Sequence, residues 1–168
     1  MPKIIENIRQ QLLEEAKRQV TERGYKNTTV RSVASACGIA VGTVYNYFCS
    51  KDILIASFIL EDWENIVETI VSQPKENRKL YLEFIHISLQ KFASKYNSLF
   101  TDEDAKQTFS SAFTERHSQL RYQLAILILP ICRGNDFLAE YVAEALLTWT
   151  MAGKSFESIY TLLPEQIK

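Results

Sequence analysis

Apolar residues recur along this chain at three- and four-residue steps, and the pattern breaks where glycine, proline or a short polar run intervenes. Ile5, Ile8, Leu12, Ala16 and Val20 make one stripe, widened by Leu13, which predicts a first helix from about Ile4 to Arg23. Gly24 supplies a left-handed stop, and Lys17, Arg18 and Arg23 complement the negative helix end. Thr28 or Thr29 can cap a second helix, with Val30, Val33, Ala34 and Cys37 facing inward and Arg31, Ser32 and Ser35 facing out. Gly38 ends it. A short third helix then runs from Ala40 or Val41 to Phe48, with Val44 and Phe48 together on its inner side.

Ser50 can cap the next helix, which has Asp52 near its start and carries Ile53, Leu54, Phe58, Leu60, Trp63, Ile66, Val67 and Ile70. Ser72-Gln-Pro-Lys breaks it. A fifth helix from about Asn77 to Tyr96 is apolar on more than one side, through Leu80, Phe84, Ile85, Ile87, Leu89 and Phe92, which predicts a central position. Thr101-Asp-Glu-Asp104 reads as a capping box opening a sixth helix with Phe109, Ala112 and Phe113. Near His117 that helix is expected to bend or to pass into a seventh, with Leu120, Leu124, Leu127, Ile128 and Ile131, its end kinked by Pro130. Gly134-Asn-Asp stops one helix and caps the last. That segment carries Phe137, Leu138, Tyr141, Val142, Ala145, Leu146 and Trp149, pauses at Gly153 and continues to Leu163. No strand alternation, internal repeat or low-complexity tract is present. The fold class read from this pattern is all-α: a three-helix head over residues 1–50 and a helical bundle over 51–168.

Composition agrees. The 168 residues are 46% hydrophobic and 11% aromatic, enough to build a packed core. No glycine lies between Gly42 and Gly134 and no proline between Pro74 and Pro130, so long helices fit and tight hairpins do not. The formal net charge of −1 hides an asymmetry: residues 1–51 hold eight basic against four acidic groups, net +4, and the remainder 11 against 16, net −5. A basic head on an acidic body predicts a polyanion contact confined to one end. Three cysteines without a CxxC pair argue against a disulfide framework or a zinc site; Cys37 and Cys49 read as a small core residue and a loop residue. No apolar run approaches the roughly 20 residues of a bilayer span, and the N-terminus lacks a signal-peptide core. The expectation is a cytoplasmic protein that does not engage a membrane.

Burying Val44 and Phe48 turns a small, polar and aromatic surface outward, and helix, glycine turn, short helix is a helix-turn-helix pattern. Its chemistry suits duplex DNA. Gly42 lets the backbone come close. Thr43 offers a hydroxyl and a methyl, and Asn46 can pair bidentately with adenine. Tyr45 and Tyr47 can bond phosphates and lay rings on sugars or thymine methyls. Lys51 can reach a phosphate at the start of the next helix, and Thr28 or Thr29 can anchor the second helix on the backbone. Arg31 lies on the same outward face.

Thr28 to Leu54, with its Gly-x-x-Tyr-x-x-Phe-x-x-Lys run over Gly42, Tyr45, Phe48 and Lys51, resembles the signature of the TetR family of bacterial transcriptional regulators. Gly24-Tyr25 matches the family's ending of its first helix, and the resemblance covers roughly residues 5–55. Ala40 and Val41 depart from it: the family often has serine at the first of these positions, where it caps the recognition helix, and a polar or basic residue at the second. The resemblance implies a homodimer through the last two long helices, about 118–133 and 136–163, whose wide apolar faces suit a self-complementary interface. It also implies an effector pocket in the body, where 15 of the 19 aromatic residues lie. Candidates by residue type are Trp63, His86, Phe92, Tyr96, Phe109, Phe113, His117 and Trp149. His86 and His117 lack a ligating partner four residues on, so neither metal nor cofactor is expected.

The resulting expectation is a ligand-responsive repressor that binds a near-palindromic DNA operator as a homodimer and answers to a small-molecule effector. An enzyme is not expected, since no HExxH, Walker loop, GxSxG or dinucleotide fingerprint occurs. The alternative is a helical small-molecule-binding or protein-interaction module without DNA binding, favoured by the missing cap at Ala40.

Overall fold

The computed structural model describes residues 7–168, with side chains described except at 100, 104 and 106–117. Among the described residues the chain forms α-helices and no strand. Packing divides it into two units: one runs to Glu64 and takes in Tyr96–Thr108, the other comprises Asn65–Lys95 and Phe109–Lys168.

In the first unit, α1 (Ile8–Asn27) is capped by Asn7, whose side chain accepts from the Gln10 N–H. Leu12, Leu13, Ala16 and Val20 are buried along it as the stripe predicts, Ile8 is half-buried, and Ile5 lies outside the described residues. At Gly24 the backbone leaves the helix with φ 79° and ψ 170°, a region glycine enters freely, and the final turn carries Tyr25 back into the core. α2 (Val30–Ala36) is capped by Thr29, which exchanges side-chain and backbone bonds with Ser32. α3 (Val41–Tyr47) follows the turn at Gly38, where φ is 68°. α4 (Lys51–Val71) starts behind Ser50, whose hydroxyl accepts from the Ile53 N–H at 3.1 Å. As far as Trp63 it fills the same core, with Leu54, Ile55, Phe58 and Trp63.

This part of α4, through Glu64, therefore belongs to the same unit as the three head helices. Ion pairs from α1 hold it there: Arg9 to Glu61 at 2.6 Å and Lys17 to Asp62 at 2.5 Å. A short α6 (Asn97–Thr101), absent from the expectation, packs on α1 with Tyr96 and Leu99 buried. It also overturns the capping box at Thr101. Being in the last turn of α6, Thr101 donates its hydroxyl back to the Asn97 carbonyl, and Asp102 caps the next helix by accepting from the Ala105 N–H at 2.9 Å.

The second unit contains α5 (Arg78–Lys95), most of α7 (Glu103–Ile128), a 3-10 turn (Leu129–Cys132), α8 (Asp136–Met151) and α9 (Phe156–Leu162). α5 lies against α8 and α9 and buries Tyr81, Leu82, Ile85, His86, Leu89 and Phe92. Its extra apolar side is not covered: Leu80 and Ile87 are exposed. α8 supplies Ala139, Val142, Ala143, Leu146 and Leu147 to the core, and α9 supplies Phe156 and Ile159. α7 is one helix through His117, against the expected bend; residues 103–128 contain no proline or glycine to open its hydrogen-bond ladder. Pro130 falls in the 3-10 turn, as its missing N–H requires. Asn135 and Ser155 cap α8 and α9.

Candidate nucleic-acid interface

α3 is built as a rod backed on one side. Val44 is fully buried and Phe48, its C-cap residue, is 2% exposed. At about 100° per residue, Gly42 and Asn46 fall opposite that seam, Tyr45 falls on one flank, and Thr43 and Tyr47 fall on the other. Gly42 and Asn46 are exposed, Tyr45 and Tyr47 are 51% and 46% exposed, and Thr43 is half-buried. A Cβ added at Gly42 would meet nothing within 4 Å. Packing within the chain therefore does not demand a glycine there. Arg31 is exposed on the outer side of α2 and is the only charged residue on α2 or α3.

The rod is held by polar contacts. Gln19, almost fully buried, links α1 to α2 by accepting from the Ser32 hydroxyl at 2.6 Å and donating to Glu15 at 2.7 Å. The Arg9 guanidinium lies over the Phe48 ring, 5.7 Å from its centroid. At the other end the Lys51 ammonium donates to the Tyr25 carbonyl at 2.8 Å and sits 3.6 Å from the centre of the Tyr25 ring, while the Tyr25 hydroxyl donates to Asp52. This clasp ties the end of α1 to the first turn of α4, just behind α3. Asp62 also gathers Lys17 and the Tyr96 hydroxyl, and burial and Asp62's charge push the Tyr96 phenol far above its ordinary range.

These contacts reorder the residues picked from sequence. Thr29 is exposed as the cap of α2, but Thr28 is 1% exposed and its hydroxyl donates to the Gly24 carbonyl, so it braces the head and cannot reach a phosphate in this arrangement. Lys51 engages Tyr25 instead of extending to solvent. Ala40 has the extended backbone of a cap, with no side-chain bond, as its methyl dictates. Cys37 is half-buried with its thiol 3.7 Å from the Gln11 carbonyl, and burial pushes that thiol's pKa up, which disfavours the thiolate; Cys49 is exposed in the loop.

The effector candidates are distributed over both units. Trp63 and Tyr96 are core residues of the first unit, and Phe92 is core in the second. His86 is bonded to the Thr150 hydroxyl at 2.8 Å and packed near the Phe156 ring, and burial lowers its pKa, so it is a satisfied core histidine. Trp149 is 50% exposed. Phe109, Phe113 and His117 lie on α7, with side chains outside the described ones. An open recess of about 450 Å³ in the second unit is lined, among the described residues, by Glu76, Asn77, Arg78, Lys79 and Lys168. Among the described residues, no group of three acidic, histidine or cysteine side chains could hold a metal, and no helix is long and apolar enough to cross a membrane.

Known proteins agree with the geometry of the head. Residues 12–58 match the family described as bacterial regulatory proteins, tetR family. The HTH-type transcriptional repressor AcnR of Corynebacterium efficiens is 36% identical over 64 residues, 38% of this chain and 34% of that protein. The HTH-type transcriptional regulator UidR of Escherichia coli K12 is 34% identical over 56 residues, 33% of this chain and 29% of that one. The chain thus matches about a third of the length of these curated relatives. The fatty acid degradation regulator FadR from Bacillus halodurans superposes on 92% of this chain over 93% of its own length, with a TM-score of 0.61 at 20% identity, which establishes a shared fold. By sequence the helix-turn-helix head, residues 12–58, matches the tetR family of bacterial regulatory proteins, and by structure the chain shares the helical fold of FadR.

Proposed function

We propose that this protein is a DNA-binding transcriptional regulator that places α3 in the major groove. The observation that carries the reading is the division of α3: Val44 and Phe48 are buried, and Gly42, Tyr45, Asn46 and Tyr47 are left to solvent. A seven-residue helix with no internal use for its outer face, and with a glycine that packing does not require, suits a groove about 12 Å wide. Repression is the proposed sign of regulation, in line with the name of AcnR.

The same reading takes the functional form as a homodimer through about 118–133 and 136–163. Exposed Tyr122 and Ile126 on α7, and Phe137, Tyr141 and Trp149 on α8, support a self-complementary interface. Two heads then meet two half-sites about 34–36 Å apart on a near-palindrome. A small-molecule effector acts by binding better to a dimer whose head spacing does not fit the operator, which is the only way it can shift the equilibrium. The setting is the cytoplasm, where the DNA is.

Selection of bound duplexes from a random pool, followed by titration at several salt concentrations, tests this. The proposal predicts a dyad-symmetric site, affinity that falls as salt rises, and loss of binding in Tyr45→Ala with the helical content unchanged. Absence of any enriched duplex would leave a helical binding module that does not use DNA.

A further inference from the structure

The apex of α3 carries no charge, and this restricts what it can read. Guanine in the major groove offers two acceptors and is held by Arg or Lys; adenine offers a donor and an acceptor and is held by Asn or Gln; thymine offers a methyl to apolar contact. The sequence of α3, Val-Gly-Thr-Val-Tyr-Asn-Tyr, contains no Arg, Lys, Asp or Glu. Asn46 lies opposite the buried seam, one turn beyond Gly42, so it is the side chain that enters deepest while Gly42 lets the backbone follow it. Tyr45 and Tyr47 flank it with about half their surface exposed, and the Thr43 methyl stands beside them. Of the neighbouring cations, Arg9 is paired with Glu61 and Lys51 is turned onto Tyr25. Arg31, on α2, is the one guanidinium on either helix of the motif.

Resting on the reading of α3 as the DNA-contacting helix, we infer that this protein reads an A·T core in each half-site, with Asn46 as the specificity-determining residue. Asn46 pairs with an adenine, the two tyrosines and Thr43 cover thymine methyls, and any guanine in the half-site is held by Arg31 from its edge.

Duplex selection with the parent, Asn46→Ala and Arg31→Ala proteins tests this. The expected result is an A·T run under α3 in the parent, one adenine position losing its preference about tenfold or more in Asn46→Ala, and no guanine requirement surviving Arg31→Ala. A dyad-symmetric site with two or more required guanines per half-site, kept in Arg31→Ala, would overturn the A·T assignment while leaving DNA binding in place. An Asn46→Ala site identical to the parent's would overturn the role of Asn46. If no protein enriches a duplex, the DNA reading and this inference fall together.

Discussion

Ala40 holds cap geometry without cap chemistry, so Ala40→Ser should stabilise α3. Its φ of −69° and ψ of 144° are those of a capping residue, and it is exposed, so a hydroxyl fits without displacing a neighbour. The other helix starts of the head show what is missing: Asn7, Thr29 and Ser50 each accept a backbone N–H three residues on. A serine at 40 would take the Thr43 N–H, which now bonds only back to the Ala40 carbonyl at 2.9 Å. Adding such a cap is worth about 1 kcal/mol, in a range of about 0.5–2. In a helix of seven residues that is a large share of local stability, and it equals about a fivefold shift in an opening equilibrium. Amide hydrogen exchange reads it directly: protection at Val44 to Tyr47 should rise about fivefold while α1 is unchanged. Unaltered or reduced protection on α3 would show that the helix end is satisfied in another way and would refute the reasoning.

Three more outcomes follow from other contacts. Tyr25→Phe keeps the ring under Lys51 but removes the bond to Asp52, and should lower urea stability by about 1 kcal/mol; an unchanged midpoint would make the clasp ornamental. Burial holds the His86 pKa below its ordinary 6.5, so the unfolded chain takes up a proton that the folded one refuses. Stability should therefore fall as pH drops from 7 through 6.5 towards the lowered folded value, and this dependence should shrink in His86→Gln. Stability that rises with acid, or the same profile in both proteins, would contradict the burial argument. Gly42→Ala, taken up last, separates folding from binding.

The head was legible because its signals are local. The stripe Leu12, Ala16, Val20, the turn at Gly38 and the pair Val44 and Phe48 all act within a few residues, and all fall where periodicity puts them. Thr28 and Lys51 were harder. Both are polar residues beside a helix start, and only the fold shows one bonded to Gly24 and the other to Tyr25, 26 residues away. The Lys17, Asp62 and Tyr96 cluster has no sequence signature, since it joins three segments by tertiary packing. In the body, residue type alone could not separate core aromatics from pocket aromatics. His86 is core because Thr150 lies 64 residues on, and α6 was missed because five residues leave too little pattern to read.

The central claim is that the outer face of α3 meets DNA, and Gly42 tests it most directly. Inside the helix, replacing glycine by alanine should stabilise by roughly 0.5–1 kcal/mol, and the new Cβ has open space around it. On the duplex, the same methyl stands where the backbone must approach. Titration of the selected duplex with the parent and Gly42→Ala proteins, alongside urea unfolding of each, should give a variant that is more stable and binds at least several-fold more weakly. A variant that is stabilised and binds with undiminished affinity would contradict the placement of α3 in the groove.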